Sequence, residues 1–240
     1  MSASAAHAAE SGRVVSLETY ARLATALNLR PSLVLDAVRG GSMRPAGSTR
    51  DVVHAAMGEC EAAHLARLGL KVAIDEPYQH FQFAGRADVL AWDMDEQRLL
   101  HIENKSRIDD LQDLAGAYNA KRAYLATALA DRLGVGPRGW RSVTHILAVL
   151  WSSEVIHALR LRSATFHAFC PDAPDDFAEW WTGDNPPEGS SSTLIVLDPA
   201  ADLGRARRWI GLEEAIASAR PRYRGYADAA ARLGGPFSRP

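Results

Sequence analysis

Leu17, Tyr20, Leu23, Ala24 and Leu27 recur three and four positions apart. That spacing predicts a helix with one apolar face inside residues 14–38, with Ser16 as its N-cap and Glu18 in its first turn. A second short helix follows Pro31 and carries Val34, Ala37 and Val38 on one face. Gly40, Gly41, Ser42, Pro45, Gly47 and Ser48 then read as a linker. Helical spacing returns at 51–68 through Val52, Val53, Ala56, Cys60, Ala63 and Leu65, with Gly69 past the end. Leu70 to Phe83 reads as one extended strand. Two more strands follow at about 87–92 and 98–104, joined by a turn near Asp93 to Gln97. Leu111, Leu114, Tyr118, Tyr124 and Leu129 mark a long helix over 109–133. Val143 to Trp151 is almost continuously apolar, as a strand buried on both faces would be. Ser152 and Ser153 cap a helix reaching about Phe169. Residues 171–192 read as a long acidic loop carrying Trp180 and Trp181. A strand at 193–197 and helices near 212–218 and 223–233 complete the pattern, and no internal repeat is apparent.

Composition narrows the class. The 240 residues suffice for one large domain or a medium and a small one, and 47% apolar content is ordinary for a globular protein. No run approaches 18 uncharged apolar residues, so no membrane span is expected. The Ala- and Ser-rich start lacks a basic segment and an apolar stretch, and does not read as a signal peptide. Two cysteines, Cys60 and Cys170, argue against a disulfide framework and fit a reducing cytoplasm. The net charge of −2 is unevenly spread. Residues 1–50 carry six basic and three acidic side chains; residues 171–200 carry seven acids and no base; residues 201–240 carry eight bases and four acids. The two ends can therefore face a polyanion, although solvated arginines give the same count.

Candidate chemistry concentrates in GRADVLAWDMDEQRLLHIENK, residues 85–105. Asp88 sits in one apolar run, and Glu103 and Lys105 end the next. Strand side chains alternate faces, so Glu103 and Lys105 share one, and Asp88 meets them if the two runs pair as a hairpin. Two carboxylates and a lysine at a sheet edge suit a divalent cation and an activated water. Of 27 basic residues only Lys71, Lys105 and Lys121 are lysine, so Lys105 runs against the chain's preference for arginine. A lysine offers a compact donor with a tunable pKa, which suits the positioning of a nucleophilic water.

The order helix, three strands, helix, strand, with Asp88 on the second strand and Glu103-x-Lys105 on the third, resembles the PD-(D/E)xK nuclease superfamily over roughly residues 51–152. The resemblance implies an α/β fold: a restriction-endonuclease-like central mixed sheet flanked by helices. It implies Mg²⁺ (or Mn²⁺) held by Asp88 and Glu103, Lys105 assisting the attacking water, and hydrolysis of DNA phosphodiesters. Many members add a Glu from the first helix; Glu59 and Glu61 both qualify, and Glu59 is preferred. Some also carry a Gln and a Tyr on the next helix, for which Gln112 and Tyr118 are candidates at looser spacing. Arg86 and Arg107 flank the site and could hold phosphate. The chain departs from the pattern at Ala87, where a Pro is usual, and at Asn104, where an apolar residue is common.

SASAAHAAESGRVVSLETYARLATALNLRPSLVL, at the start, resembles the latter part of a Cro/repressor-type helix-turn-helix. Ser2 to Ala9 would be the recognition helix, Glu10 to Gly12 the turn, and Ser16 to Leu27 the following helix. The two preceding helices of that module are missing from the sequence. An Ala-rich helical pair packing on the main domain is the alternative.

His54, Cys60 and His64 share a helix, but structural zinc needs four ligands, so core or surface roles are expected. His101 shares the face of Glu103 and reads as a packed strand histidine. Trp180 and Trp181 could stack on bases or a partner, or anchor their loop. RPRYRGY, with Arg222 and Arg224, could grip phosphate. The sequence thus divides into a partial helix-turn-helix-like segment at 1–40, a linker at 41–50, a nuclease-like core at 51–170 and an acidic-then-basic extension at 171–240. The expected function is metal-dependent DNA cleavage in the cytoplasm, with DNA as partner and a homodimer allowed. The alternative is a non-catalytic DNA-binding transcriptional regulator on a degenerate nuclease fold.

Overall fold

Asp51 leads into the first of the helices described. Its carboxylate accepts the His54 N–H at 2.9 Å and so caps helix α1 (Val52–Arg67), which turns Val53, Met57, Ala62 and Leu65 inward. Gly69, at φ 85°, takes the left-handed conformation that ends the helix. The structure is a computed structural model. It describes residues 51–81, 83–201, 207–217 and 220–234, together with the isolated helical residue Ala26. The chain divides into two units, Met1–Gly40 and Gly41–Pro240, and the elements below belong to the second. The sequence readings at 14–38, the linker and the helix-turn-helix resemblance lie outside the described residues, Ala26 apart.

A six-stranded mixed sheet runs in the order β1 to β6. Strands β1 (Lys71–His80), β2 (Phe83–Asp93) and β3 (Arg98–Lys105) form an antiparallel meander. Asp93 closes the β2–β3 turn by accepting the N–H groups of Asp95 and Glu96. Helix α2 (Leu111–Leu133), capped by Asp110 and ended by Gly134 at φ 71°, crosses over so that β4 (Ser142–Leu150) lies parallel to β3. Helices α3 (Ser153–Leu161), α4 (Ser163–Phe169) and α5 (Asp175–Thr182) lead to β5 (Gly189–Leu197), parallel to β4. The short antiparallel β6 (Trp209–Gly211) and helices α6 (Leu212–Ala217) and α7 (Tyr226–Leu233) complete the unit.

The two faces of the sheet bury different sets. Val89, Ala91, Leu100, Ile102, Ile146, Ala148 and Ile195 meet residues of α1, α5 and α7 on one side. Leu147, Val149, Leu194 and Val196 meet Leu114 and Tyr118 of α2, Val155 and Leu159 of α3, and Phe166 and Phe169 of α4 on the other. Among the described residues, no helix is long and apolar enough to cross a membrane.

Three expectations need correcting. The strand read over 70–83 is a hairpin, because Phe81 at φ 52° turns the chain and β2 begins at Phe83. The helix read from 152 to 169 breaks at Arg162, whose ψ of 30° with φ −128° is not helical. The acidic loop contains helix α5 and the start of β5. Its Asp175 and Asp176 lie in the first helical turn, where negative charge suits the helix dipole. Its Phe177 and Trp180 are fully buried at helical spacing, with the Trp180 indole N–H donated to Thr144 Oγ1 at 3.0 Å. Trp180 is therefore an anchor in the core and offers no ring to a base or a partner. Strand β6 was not foreseen, being three residues long.

Candidate functional site

Antiparallel register lines up three acids across β1, β2 and β3. Asp75 falls opposite Asp88, since Ile74 pairs with Val89 and Glu76 with Ala87. One step beyond the last β2–β3 pair, Val89 with Ile102, Asp88 falls opposite Glu103. Neither acid pair joins the ladder. Asp75 leaves it by adopting φ 54°, and the Asp88 carboxylate reaches across to accept the Asn104 backbone N–H at 2.8 Å. The ladder thus opens on both sides of Asp88, and a cleft of about 340 Å³ lies there, lined by Asp88, Glu103 and Lys105 among others.

Glu103 is the most heavily paired group. It is 3% exposed. Lys105 Nζ donates to Oε1 at 2.8 Å, and Lys121 Nζ, from α2, donates to Oε2. His101 Nε2 is 3.9 Å from Oε2, too far for a hydrogen bond. Burial alone would raise the Glu103 carboxyl; nearby His101 and the charges of Lys121 and Lys105 outweigh burial and hold it well below the usual range. His101 is itself buried and held below its ordinary pKa by that burial. Its Nδ1 lies 3.1 Å from Nδ1 of His145 on the parallel neighbour.

Asp88 faces the first helix. His54 Nε2 is 3.5 Å from Asp88 Oδ1, and this contact raises the imidazole pKa against the opposing effect of burial. Asp51 contributes twice: one oxygen caps α1 and the other accepts the Ser106 hydroxyl at 2.6 Å. Burial opposes ionisation of Asp51, and those two bonds overcome it, so its pKa is lowered. On the opposite face of β3, the Asn104 side-chain amide donates to Glu61 Oε2 at 2.8 Å. Glu61 is fully buried; burial pushes its carboxyl up to about 8, with the charge of Asp88 adding and the Asn104 bond opposing.

Of the residues singled out from the sequence, Asp88, Glu103, Lys105, Arg86 and Arg107 line this cleft. Arg86 Nε donates to Asp75 Oδ1 at 2.6 Å, and the Arg107 guanidinium lies 4.6 Å from the centre of the Tyr226 ring. Glu59 does not join them: it is exposed on α1 and does not line the cleft, while Glu61, two residues on, points to the sheet. Gln112 is exposed and lines a separate depression with Asp110 and Arg162. Tyr118 is buried, its hydroxyl 3.0 Å from Ser192 Oγ, and does not line the cleft. Arg222 and Arg224 line a third depression beside Ser153, Asp228 and Arg232. Among the described residues, no group of three His, Cys, Asp or Glu side chains is arranged to hold a metal, and His54, Cys60 and His64 form no such group.

Sequence reasoning missed Lys121, His54 and Asp51 as parts of this site. Lys121 had a signal: it is one of three lysines, and it interrupts the apolar stripe Leu114, Tyr118, Leu125, Leu129 of α2. Glu61 was weighed and passed over, although a glutamate three places after Gly58 and four before Leu65 follows the buried phase of α1. No protein-family model matches the chain, and no match to it is found among curated proteins.

Proposed function

We propose that the cleft around Asp88 is the active site of a Mg²⁺-dependent deoxyribonuclease of the PD-(D/E)xK type. The observation that carries this reading is the convergence of Asp88, Glu103 and Lys105, from two adjacent strands, on one open cleft rimmed by Arg86 and Arg107. The surroundings support it. A helix, an antiparallel three-stranded meander, a second helix and a strand parallel to the third follow in the order that the resemblance implies.

The donors suit a hard cation in kind. Mg²⁺ is commonly held by one or two carboxylates, with water and substrate phosphate completing its shell, so Asp88 and Glu103 would serve without a third side chain. When bound, the ion would neutralise phosphate charge and acidify a water. The protein's own groups do the rest. Asn104 N–H fixes Asp88 from behind. Lys121 holds one oxygen of Glu103 deep in the fold, while Lys105, 31% exposed, holds the other and presents its ammonium group to the cleft. An ammonium so placed can orient a water and stabilise it as it loses a proton. Arg107 offers hydrogen bonds to a phosphate at the rim. Tyr226, under the Arg107 guanidinium, begins helix α7, and a separate depression lined by Arg222, Arg224 and Arg232 offers a DNA strand a further phosphate contact.

The test is cleavage of plasmid, linear duplex and single-stranded DNA with Mg²⁺ or Mn²⁺. Asp88→Ala and Lys105→Ala serve as controls and should lower cleavage about a hundred-fold or more while both variants stay folded. A second reading has its own observation: each Glu103 oxygen already accepts from a lysine, which suits a cleft that binds without cutting. Salt-sensitive DNA binding with no metal-dependent cleavage would establish that reading, a DNA-binding regulator on a nuclease-like core.

A further inference from the structure

Two side chains buried behind the cleft are joined by one hydrogen bond and lack a second. Asn104 donates its amide to Glu61 Oε2, yet Glu61 Oε1 and Asn104 Oδ1 are both buried without any partner. Both orphans are acceptors. An ionised carboxylate has no hydrogen to give, and no donor from elsewhere in the described residues reaches either atom. Leaving two buried acceptors unmet is costly, because each has given up its bonds to water. One hydrogen placed on Glu61 Oε1 changes this. A carboxylic acid and a carboxamide can pair reciprocally: the amide N–H donates to one carboxyl oxygen, and the carboxyl O–H donates to the amide oxygen.

We propose that Glu61 is held as a neutral carboxylic acid in a reciprocal pair with Asn104, and that this pair positions the Asn104 backbone N–H that grips Asp88.

The surroundings favour the neutral form. The charged group acting on Glu61 from β2 is Asp88, which opposes a second negative charge nearby. From β3 comes only the uncharged Asn104. On α1 itself the neighbouring Cys60 thiol is pushed up to about 11, largely by burial, and stays uncharged at neutral pH. Helices α5 and α7 bring Phe177, Trp180, Ala229 and Leu233 to this core, and the nearby Arg208 guanidinium donates to Cys60 Sγ. Among the described residues no cation offsets an anion at Glu61, and burial favours its protonated form. Glu61 is thus a positioning residue. It touches neither Glu103 nor a lysine, and acts on the cleft through Asn104.

The experiment uses the whole chain in chelator, so that no metal competes. Selective ¹³C labelling of glutamate carboxyls, followed by NMR from pH 4 to 10, reads each titration in the unaltered protein. One glutamate carbon should titrate near pH 8, and that resonance should be absent from Glu61→Gln. The pH dependence of unfolding supplies a second readout. A carboxyl raised from 4.5 in the unfolded chain to about 8 in the native one stabilises the fold fully below 4.5 and loses that contribution as pH rises through 8. Between pH 6 and 9 the wild-type folding constant should fall roughly a hundred-fold from this group. In Glu61→Gln, whose amide can make the same reciprocal pair, that fall should vanish. Ordinary titration of every glutamate, or an unchanged pH dependence in Glu61→Gln, would overturn the proposal. Because neither readout involves cleavage, a failure here is separate from a failure of the nuclease reading.

Discussion

Glu103 and Asn104 are consecutive residues of one strand, both buried, facing opposite sides of the same sheet, and the fold satisfies them by opposite means. Toward α2, Glu103 stays an anion and recruits two lysines. Toward α1, Asn104 meets an acid whose burial favours the uncharged form. The contrast follows from access to water. The Glu103 face opens at Lys105 onto the cleft, where an ammonium group remains hydrated; the Asn104 face closes under α1, where no cation could stay hydrated. The two faces should therefore fail at opposite ends of the pH scale. Glu103, with its pKa depressed, contributes stability that is complete above the ordinary carboxylate range and is lost progressively as pH falls below that range toward the native pKa. Glu61, with its pKa raised, loses its contribution as pH climbs.

Lys121→Met should break the charged face most severely. It removes the buried partner of one Glu103 oxygen and leaves a poorly compensated anion, at a cost of about 3 kcal/mol. Urea unfolding should show the loss. The acid limb of the stability profile should also shrink, because Glu103 then binds a proton more readily in the native state and its native and unfolded affinities draw together. Asn104→Ala should cost somewhat less, about 2 kcal/mol, since it strands one buried polar side chain and opens a small space. Its pH profile above 7 separates it from the lysine variant, because Glu61 rather than Glu103 has then lost its partner. Arg86→Ala, at the exposed rim, should change stability by less than about 1 kcal/mol, because its pairing with the half-exposed Asp75 is screened by water. Matching thermal melts of wild type and variant would show that only the buried pairs carry the contrast.

These differences also explain what could be read in advance. Helix α1, helix α2 and strand β4 were legible because a long stripe or a continuous apolar run is set by local spacing. Asp88, Glu103 and Lys105 were legible because strand alternation fixes which side chains share a face. Lys121 and Glu61 come from other elements, and nothing in the spacing of β3 says which helical residue will lie above it. Glu59 and Glu61 differ by about 200° around a helix, so choosing between them needed the phase of α1, and that phase was ambiguous with alanines on several sides. The acidic composition of 171–192 hid α5, since an acid-rich run looks like a solvated loop until Phe177 and Trp180 are read at helical spacing.

The gap in the ladder at Asp88 has a mechanical meaning. Beyond it, residues 83–87 of β2 pair with β1 alone, because β3 pairing with β2 stops at Val89 with Ile102. The sheet there narrows to a two-stranded arm ending in Phe81, which is 85% exposed. Stacking of His80 and Phe83 on Tyr124, the bonds from Arg132 to Pro77 and Glu76, and the packing of Tyr78 with Leu125 and Leu129 tie this arm to α2. Its amides, lacking a third strand, should exchange with deuterium ahead of those in β3 and β4. The wall of the cleft would then be divided into a fast-exchanging finger on one side and a slow-exchanging floor on the other.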